Sequence, residues 1–252
     1  MPCCKPLVPL KELKNEKLLI VLMMLVSPVW AAAPFTPEQE ARIKEIVRET
    51  MVSNPDILAQ AVDAWQQQTA SQQVSQVIAA NAKTLYDDPA SPRMGAKNAK
   101  LTLVTFTDYN CPYCKRFDPM LEKIVKQYPQ VALVVKLLPF KGESSVSSAR
   151  IALTAWQQHP EQFWALHQRL MAKKGFHDDA SIAAAQQKTN VKPVAPSDRS
   201  METLRTNMQL AEQLGVQGTP ATLIGDRMLA GAVSYQELES MVKQQLAKAN
   251  NG

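Results

Sequence analysis

LTLVTFTDYNCPYCKR, residues 101–116, reads as a buried strand running into a helix. Leu101, Leu103, Val104 and Phe106 form a short run rich in β-branched and aromatic residues. Asp108-Tyr109-Asn110 breaks the run, and Asn110 is the expected N-cap. Cys111 opens the helix and Pro112 sits in its first turn, where a missing N–H costs nothing. A helix N-terminus carries partial positive charge and unpaired N–H groups, and both favour a thiolate over a thiol. Cys111 is therefore the expected nucleophile, with a depressed pKa. Cys114 lies one helical turn on and is the expected resolving thiol.

Working outward, Gly218-Thr219-Pro220 comes about a hundred residues later and precedes the strand-like Ala221-Thr222-Leu223-Ile224. A proline entering a strand cannot donate to the ladder and marks a special turn, for which a cis bond is one solution. Strand, CxxC and helix together make a thioredoxin-like redox motif. With Gly-Thr-Pro before a late strand, the sequence resembles the DsbA/DsbC/DsbG group of thiol–disulfide oxidoreductases. TDYNCPYCKRFDPM is especially similar to the suppressor-of-copper-sensitivity C (ScsC) proteins and their trimeric relatives. The resemblance covers roughly residue 85 to the C-terminus, and more weakly 35–65.

The resemblance implies an α/β thioredoxin fold with an inserted helical subdomain, preceded by an N-terminal helical oligomerisation segment. It places Pro220 against Cys111 and gives Thr219 the backbone that pairs with bound peptide. Threonine at that place accompanies disulfide isomerases more than strong oxidases in the family. One position departs from the pattern. Relatives carry a buried acid six residues before the first cysteine, where this chain has Thr105. Asp108 is the nearest acid and Lys115 the nearest cation, so Asp108 is either a proton-transfer candidate or a plain turn residue. Pro112 and Tyr113 tune the pair. Neither is cationic, so the potential is expected between about −270 mV, the thioredoxin value, and about −120 mV, that of DsbA.

Hydrophobic residues make up 46 % of the 252, enough to fill a core. The net charge of +5 is spread out, without a run of basic residues, and excludes a nucleic-acid reading. Residues 1–31 read as a cleaved secretory signal. Lys5, Lys11, Lys14 and Lys17 are basic, nine apolar residues run from Leu18 to Val26, and cleavage is expected after Ala31. Four lysines and two glutamates leave with it, so the net charge falls to +3. Cys3 and Cys4 leave too, and the two cysteines that remain are those of CPYC. An exported protein with no other cysteine keeps that pair for exchange chemistry, and the expected location is the periplasm.

Residues 34–65 read as an amphipathic helical segment. Thr36-Pro37-Glu38-Gln39 is a capping box, Ile43, Ile46, Val47 and Met51 follow at helical spacing, and Ile57, Leu58, Ala61, Val62 and Trp65 line a second stripe. Such short helices cannot bury these stripes alone, so they pack on the catalytic domain or on copies of themselves; self-association as a trimer is expected. Residues 66–84 read as a helical or flexible linker, and 85–252 as the catalytic domain with its helical insertion at about 142–215. Pro119 is expected to kink the helix after CPYC, and 131–138 reads as an apolar strand buried on both faces.

The expected activity is the forming or isomerising of disulfides in exported proteins, without a cofactor and with a membrane redox partner. Two alternatives stay open. One is a monomeric DsbA-like dithiol oxidase. The other is a copper-tolerance protein in which Cys111 and Cys114 hold cuprous ion. A structural zinc site is disfavoured, because it needs four ligands and His159, His167 and His177 are all distant in sequence. His167 falls on the apolar side of its helix and reads as a core histidine. Tyr109, Phe106 and Phe117 are candidates for an apolar contact with unfolded substrate, with core packing the simpler reading for the two phenylalanines.

Overall fold

The computed structural model describes residues 35–189, 191 and 194–251. The secretory-signal reading lies outside them, as do Asn190, Lys192 and Pro193. The chain divides into two compact units between Ala61 and Val62.

The first unit holds helix α1 (Pro37–Ser53) and the start of α2 (Pro55–Tyr86). Thr36 closes the expected capping box: its Oγ1 accepts from Gln39 N at 3.3 Å and its N–H donates to Gln39 Oε1 at 2.9 Å. No residue of α1 is buried; Ile43, Ile46, Val47 and Met51 are each 42–49 % exposed.

The second unit is built on one sheet. Its strands are β1 (Arg93–Gly95), β2 (Leu101–Thr107), β3 (Val131–Leu137), β4 (Ala221–Ile224) and β5 (Arg227–Ala230), in spatial order β1-β3-β2-β4-β5. β2 and β3 are parallel and joined through α3 (Pro112–Gln127); the other pairings are antiparallel. Helices α4 (Glu143–Gln158), α5 (Pro160–Ala172), α6 (Asp179–Lys188) and α7 (Asp198–Gln213) fall between β3 and β4, and α8 (Tyr235–Asn251) ends the chain. This is the thioredoxin fold with its helical insertion. β1 was not foreseen. Three residues after a Pro-rich turn carry too little periodicity, and Gly95 is needed because a Cβ there would meet Val131 O at 2.5 Å.

Strand alternation sends side chains into two cores. Leu101 and Leu103 of β2 and Val131, Leu133, Val135 and Leu137 of β3 join α3, α4, α5 and α8 on one face. Val104, Phe106, Val134 and Leu223 join Leu85, Leu210 and Leu214 on the other, with Val74, Val77 and Ile78 of α2 packed against them. Residues 66–84 are thus helical, and their later part covers the sheet. At Asn81 the α2 backbone leaves helical geometry (φ −120, ψ 17) while the side-chain amide donates to Val77 O and Gln213 Oε1. α3 runs through Pro119 as one helix, with Phe117, Leu121, Ile124 and Val125 inward.

The run at 131–138 is not wholly apolar. Lys136 is fully buried in β3, and its Nζ donates to Thr84 O at 2.6 Å and Ser91 Oγ at 2.7 Å, with Asp88 Oδ2 at 3.4 Å. Burial lowers its pKa, which the Asp88 charge partly restores. The lysine ties the last turn of α2 to the middle of the sheet.

Candidate active site

The turn after β2 delivers both cysteines. They are a reduced dithiol, Cys111 2 % and Cys114 1 % exposed. Cys111, not Asn110, is the N-cap of α3 (φ −82, ψ 118). Asn110 is drawn away because its side chain bridges the turn to the helical insertion: Nδ2 donates to Ser144 Oγ and Oδ1 accepts from His177 N, both at 2.8 Å. That leaves the first turn of α3 without a side-chain acceptor, and the sulfur of Cys111 faces it.

The two sulfurs are held in opposite states. Cys111 is lowered to about 5, first because Cys114 Sγ–H donates to it and further by the N–H groups of Cys114 and Tyr113 and the Thr219 side chain; burial works against these. Cys114 is raised, mainly by burial and then by the Cys111 sulfur, although Thr107 and Thr219 oppose the shift. As a thiol, Cys111 Sγ donates to Thr219 O at 3.2 Å, while Thr219 Oγ1 is buried without a partner and is left to donate once the sulfur ionises. The Thr219-Pro220 bond is cis.

A depressed folded-state pKa gives the reduced fold a pH-dependent stability. The contribution of Cys111 is complete above pH 9, the ordinary thiol value, declines through the window below it, and is lost as pH falls through about 5. Cys114 opposes it only above the ordinary thiol value, where an unfolded thiol ionises. We expect the 240 nm thiolate absorbance of the reduced protein to titrate with a midpoint near 5. The oxidised protein should lack this pH dependence, and a midpoint in the ordinary thiol range would overturn the assignment of Cys111 as the ionised sulfur.

Cys111, Pro112 and Tyr113 line a pocket of about 480 Å³ together with Phe140, Lys141 and the Gln217–Thr219 loop. Tyr113 is 56 % and Phe140 45 % exposed, and the Arg116 guanidinium lies 4.7 Å over the Tyr113 ring. The cation beside the Pro112-Tyr113 dipeptide therefore comes from a turn further along α3. Phe140, Lys141 and Gln217 were missed in the sequence. For Phe140 and Lys141 the available signal was position: the loop after the carboxyl end of a parallel strand is where such sheets bind ligands.

Asp108 is buried, and its carboxylate accepts from Asn110 N, Phe140 N and Ser145 Oγ at 2.8 Å and from Lys141 N at 3.0 Å. The side chains of Ser144 and Ser145, at the start of α4, are taken up by Asn110 and Asp108, and Gly142 stands at the N-cap of that helix. Thr105 is buried too, its Oγ1 3.0 Å from Thr222 Oγ1 on β4. Lys115 Nζ donates to the carbonyls of Lys173 and Gly175 at 2.6 Å, and burial, then the Lys173 charge, lowers its pKa. Tyr109, Phe106 and Phe117 are all buried and offer substrate no surface. Tyr109 Oη instead lies 2.8 Å from His167 Nδ1, whose Nε2 is 2.9 Å from Asp118 Oδ1. His167 is thus the satisfied core histidine expected. Among the described residues no cluster of three or more His, Cys, Asp or Glu forms, so the cuprous reading rests on two sulfurs alone.

Residues 102–243 match the model of the DSBA-like thioredoxin domain, and residues 39–72 match that of the copper resistance protein ScsC N-terminal domain. A linker-deletion mutant of Proteus mirabilis ScsC is 51 % identical, with a TM-score of 0.69 over 86 % of this chain and 99 % of that one. The chain belongs to the ScsC family of DsbA-like thioredoxin-domain proteins. A periplasmic thioredoxin-like protein from Salmonella enterica serovar Typhimurium is 63 % identical, with a TM-score of 0.65 over 66 % of this chain and 95 % of that one. The thiol:disulfide interchange protein DsbA of Bordetella pertussis is 29 % identical over 143 residues, 53 % of this chain and 68 % of that protein. Thiol–disulfide oxidoreduction is the activity of this family, and a buried dithiol with one sulfur poised as thiolate is what that chemistry needs.

Proposed function

We propose that this protein is a periplasmic disulfide isomerase of exported proteins, working as a trimer through residues 35–65, with Cys111 as nucleophile and Cys114 as resolving thiol. The observation that carries the reading is the thiolate-favouring environment of Cys111, set against Thr219 O at 3.2 Å in an open pocket.

Thiolate Cys111 attacks one sulfur of a substrate disulfide. The new S–S bond joins enzyme and substrate, and the second substrate sulfur leaves as a thiolate. For isomerisation, that thiolate or another substrate thiol attacks the mixed disulfide and regenerates Cys111, with no net change in electrons. For net reduction Cys114 attacks instead, its proton passes to the departing substrate sulfur, and the Cys111–Cys114 disulfide forms. Oxidation of a substrate dithiol runs the same bonds in reverse. The main chain of Thr219 pairs with the substrate beside its cysteine, and Pro112 and Tyr113 set the potential. A membrane redox partner returns the pair to its working state.

Self-association is supported by the uncovered stripe of α1 and by the match of residues 39–72 to the ScsC N-terminal domain. Facing active sites in one assembly favour reshuffling over single-pass oxidation. The secretory-signal reading and the periplasmic description of the Salmonella relative support the location. Because Val47 is about half exposed and packs against no core, Val47→Glu leaves the protomer fold intact. We expect it to reduce the mass by light scattering to that of one chain and to abolish reactivation of scrambled ribonuclease, while oxidation of reduced ribonuclease continues. An unchanged mass would place the contact elsewhere, and full reactivation by a single chain would sever isomerisation from assembly.

A further inference from the structure

The residues on either side of CPYC both hold one loop of the helical insertion. Asn110, which precedes Cys111, accepts from His177 N at 2.8 Å. Lys115, which follows Cys114, donates from Nζ to the carbonyls of Lys173 and Gly175, both at 2.6 Å. The loop they share, residues 173–178, joins α5 to α6. Its own groups close it further. Lys173 Nζ donates to Phe176 O. The His177 ring is buried, with Nε2 2.9 Å from Leu170 O and Nδ1 3.2 Å from Ser181 Oγ. Gly175 takes the left-handed backbone (φ +72) that this turn requires.

Phe176 is the residue this loop displays. Its side chain is 58 % exposed and belongs to neither core. The main-chain ties on both sides of it hold the ring in a fixed place beside the redox motif. Lys174 next to it is exposed, as are Arg116 of α3 and Lys141 of the pocket. None of these three cations enters an ion pair among the described residues.

The loop lines no part of the Cys111 pocket, so a contact at Phe176 adds to the contact at Thr219. A fixed ring gains most from a socket that is already shaped, because an unfolded segment must first be ordered around it. That selects a folded occupant. Continuity with the motif through Asn110 and Lys115 selects one that reacts with Cys111, and the unpaired cations select acidic groups at its rim.

We propose that residues 173–178 are the docking surface for a folded redox partner, which carries an apolar socket with an acidic rim beside its own dithiol. The proposal rests on the reading that such a partner renews Cys111 and Cys114. In the docked pair a partner thiolate attacks the Cys111 sulfur of the Cys111–Cys114 disulfide. A partner–Cys111 bond forms, and Cys114 leaves and takes up a proton. The partner's second thiolate then closes the partner's disulfide and frees Cys111 as thiolate, so two electrons pass to this protein.

The test times this renewal in the bacterium that makes the full-length protein. A short pulse of diamide oxidises the pair, and recovery of the dithiol is read by alkylation with a heavy maleimide. Phe176→Ser removes the ring at no cost to either core. It slows recovery by roughly fivefold to tenfold, while reduction of the purified variant by glutathione stays within about twofold of the parent. Lys174→Glu, which reverses an exposed charge, acts in the same direction, and Phe176→Leu, which keeps most of the apolar surface, recovers nearly as the parent does. Parental recovery in Phe176→Ser, or equal slowing with glutathione, overturns the docking surface. If the parent itself recovers no faster than glutathione alone reduces it, the reading of a redox partner fails, and the surface with it.

Discussion

The Cys111→Ser protein exchanges no disulfide, and the Cys114→Ser protein remains joined to its substrate. Cys111 carries the lowered pKa and lies on the pocket, so its loss removes the attacking sulfur; the expected fall in turnover is on the order of a thousandfold or more. Cys114 is buried behind it with its proton held, and the lining of the pocket does not include it. Its loss leaves the first attack intact and stops resolution by the enzyme. A mixed disulfide then accumulates, read as a mass increase of one substrate chain that dithiothreitol removes. Capture by Cys111→Ser instead, through Cys114, would invert the two roles.

The second large effect is at Asp108, through stability. Alanine there strands the N–H groups of Asn110, Phe140 and Lys141 and the Ser145 hydroxyl, all turned toward a buried carboxylate. With buried unpaired groups costing about 1–3 kcal/mol each and partial relaxation, Asp108→Ala should cost about 3–5 kcal/mol. Asparagine is a milder replacement. Its oxygen can accept from Phe140 N and Lys141 N while its amide donates to Ser145 Oγ, so only Asn110 N loses a partner; the expected cost is about 1–2 kcal/mol. Urea unfolding of the reduced proteins measures both. The pair also separates the two readings of Asp108. As an anchor it is largely replaced by asparagine. As a proton carrier it is not, and resolution of the mixed disulfide would slow equally in both variants.

What the sequence made legible was local or periodic. The strand before CPYC announced itself by β-branched residues, the late Gly-Thr-Pro by chemistry that few other positions need, and the capping box at Thr36 by spacing. The rest depended on groups far apart in the chain. Asp108 read as a proton-transfer candidate or a turn residue, and not as an anchor, because its partners Phe140, Lys141 and Ser145 lie more than thirty positions away. Asn110 had the right chemistry for a cap, but the insertion offered Ser144 and His177 as competing partners. Lys136 was absorbed into an apolar run because hydrophobic patterning weighs its neighbours and not the acceptors at Thr84 and Ser91. Tyr113 was named only because it stands inside CPYC, whereas Phe140, the other exposed aromatic of the pocket, was no easier to single out, since solvent-facing rings follow no period.

The ladder between β2 and β4 has a consequence for how this protein can diversify. Phe106 stands opposite Ala221, so the turn bearing Cys111 and the peptide bearing Thr219 leave adjacent ends of two paired strands. Their spacing is inherited from backbone pairing, and lengthening or remodelling the helices between β3 and β4 leaves it alone. The opposite lip, Phe140 and Lys141, has no such inheritance; both amides hang on one oxygen of Asp108. Drift in substrate range should therefore be recorded in the residues after β3, while the reach between sulfur and peptide stays constant through much larger changes elsewhere.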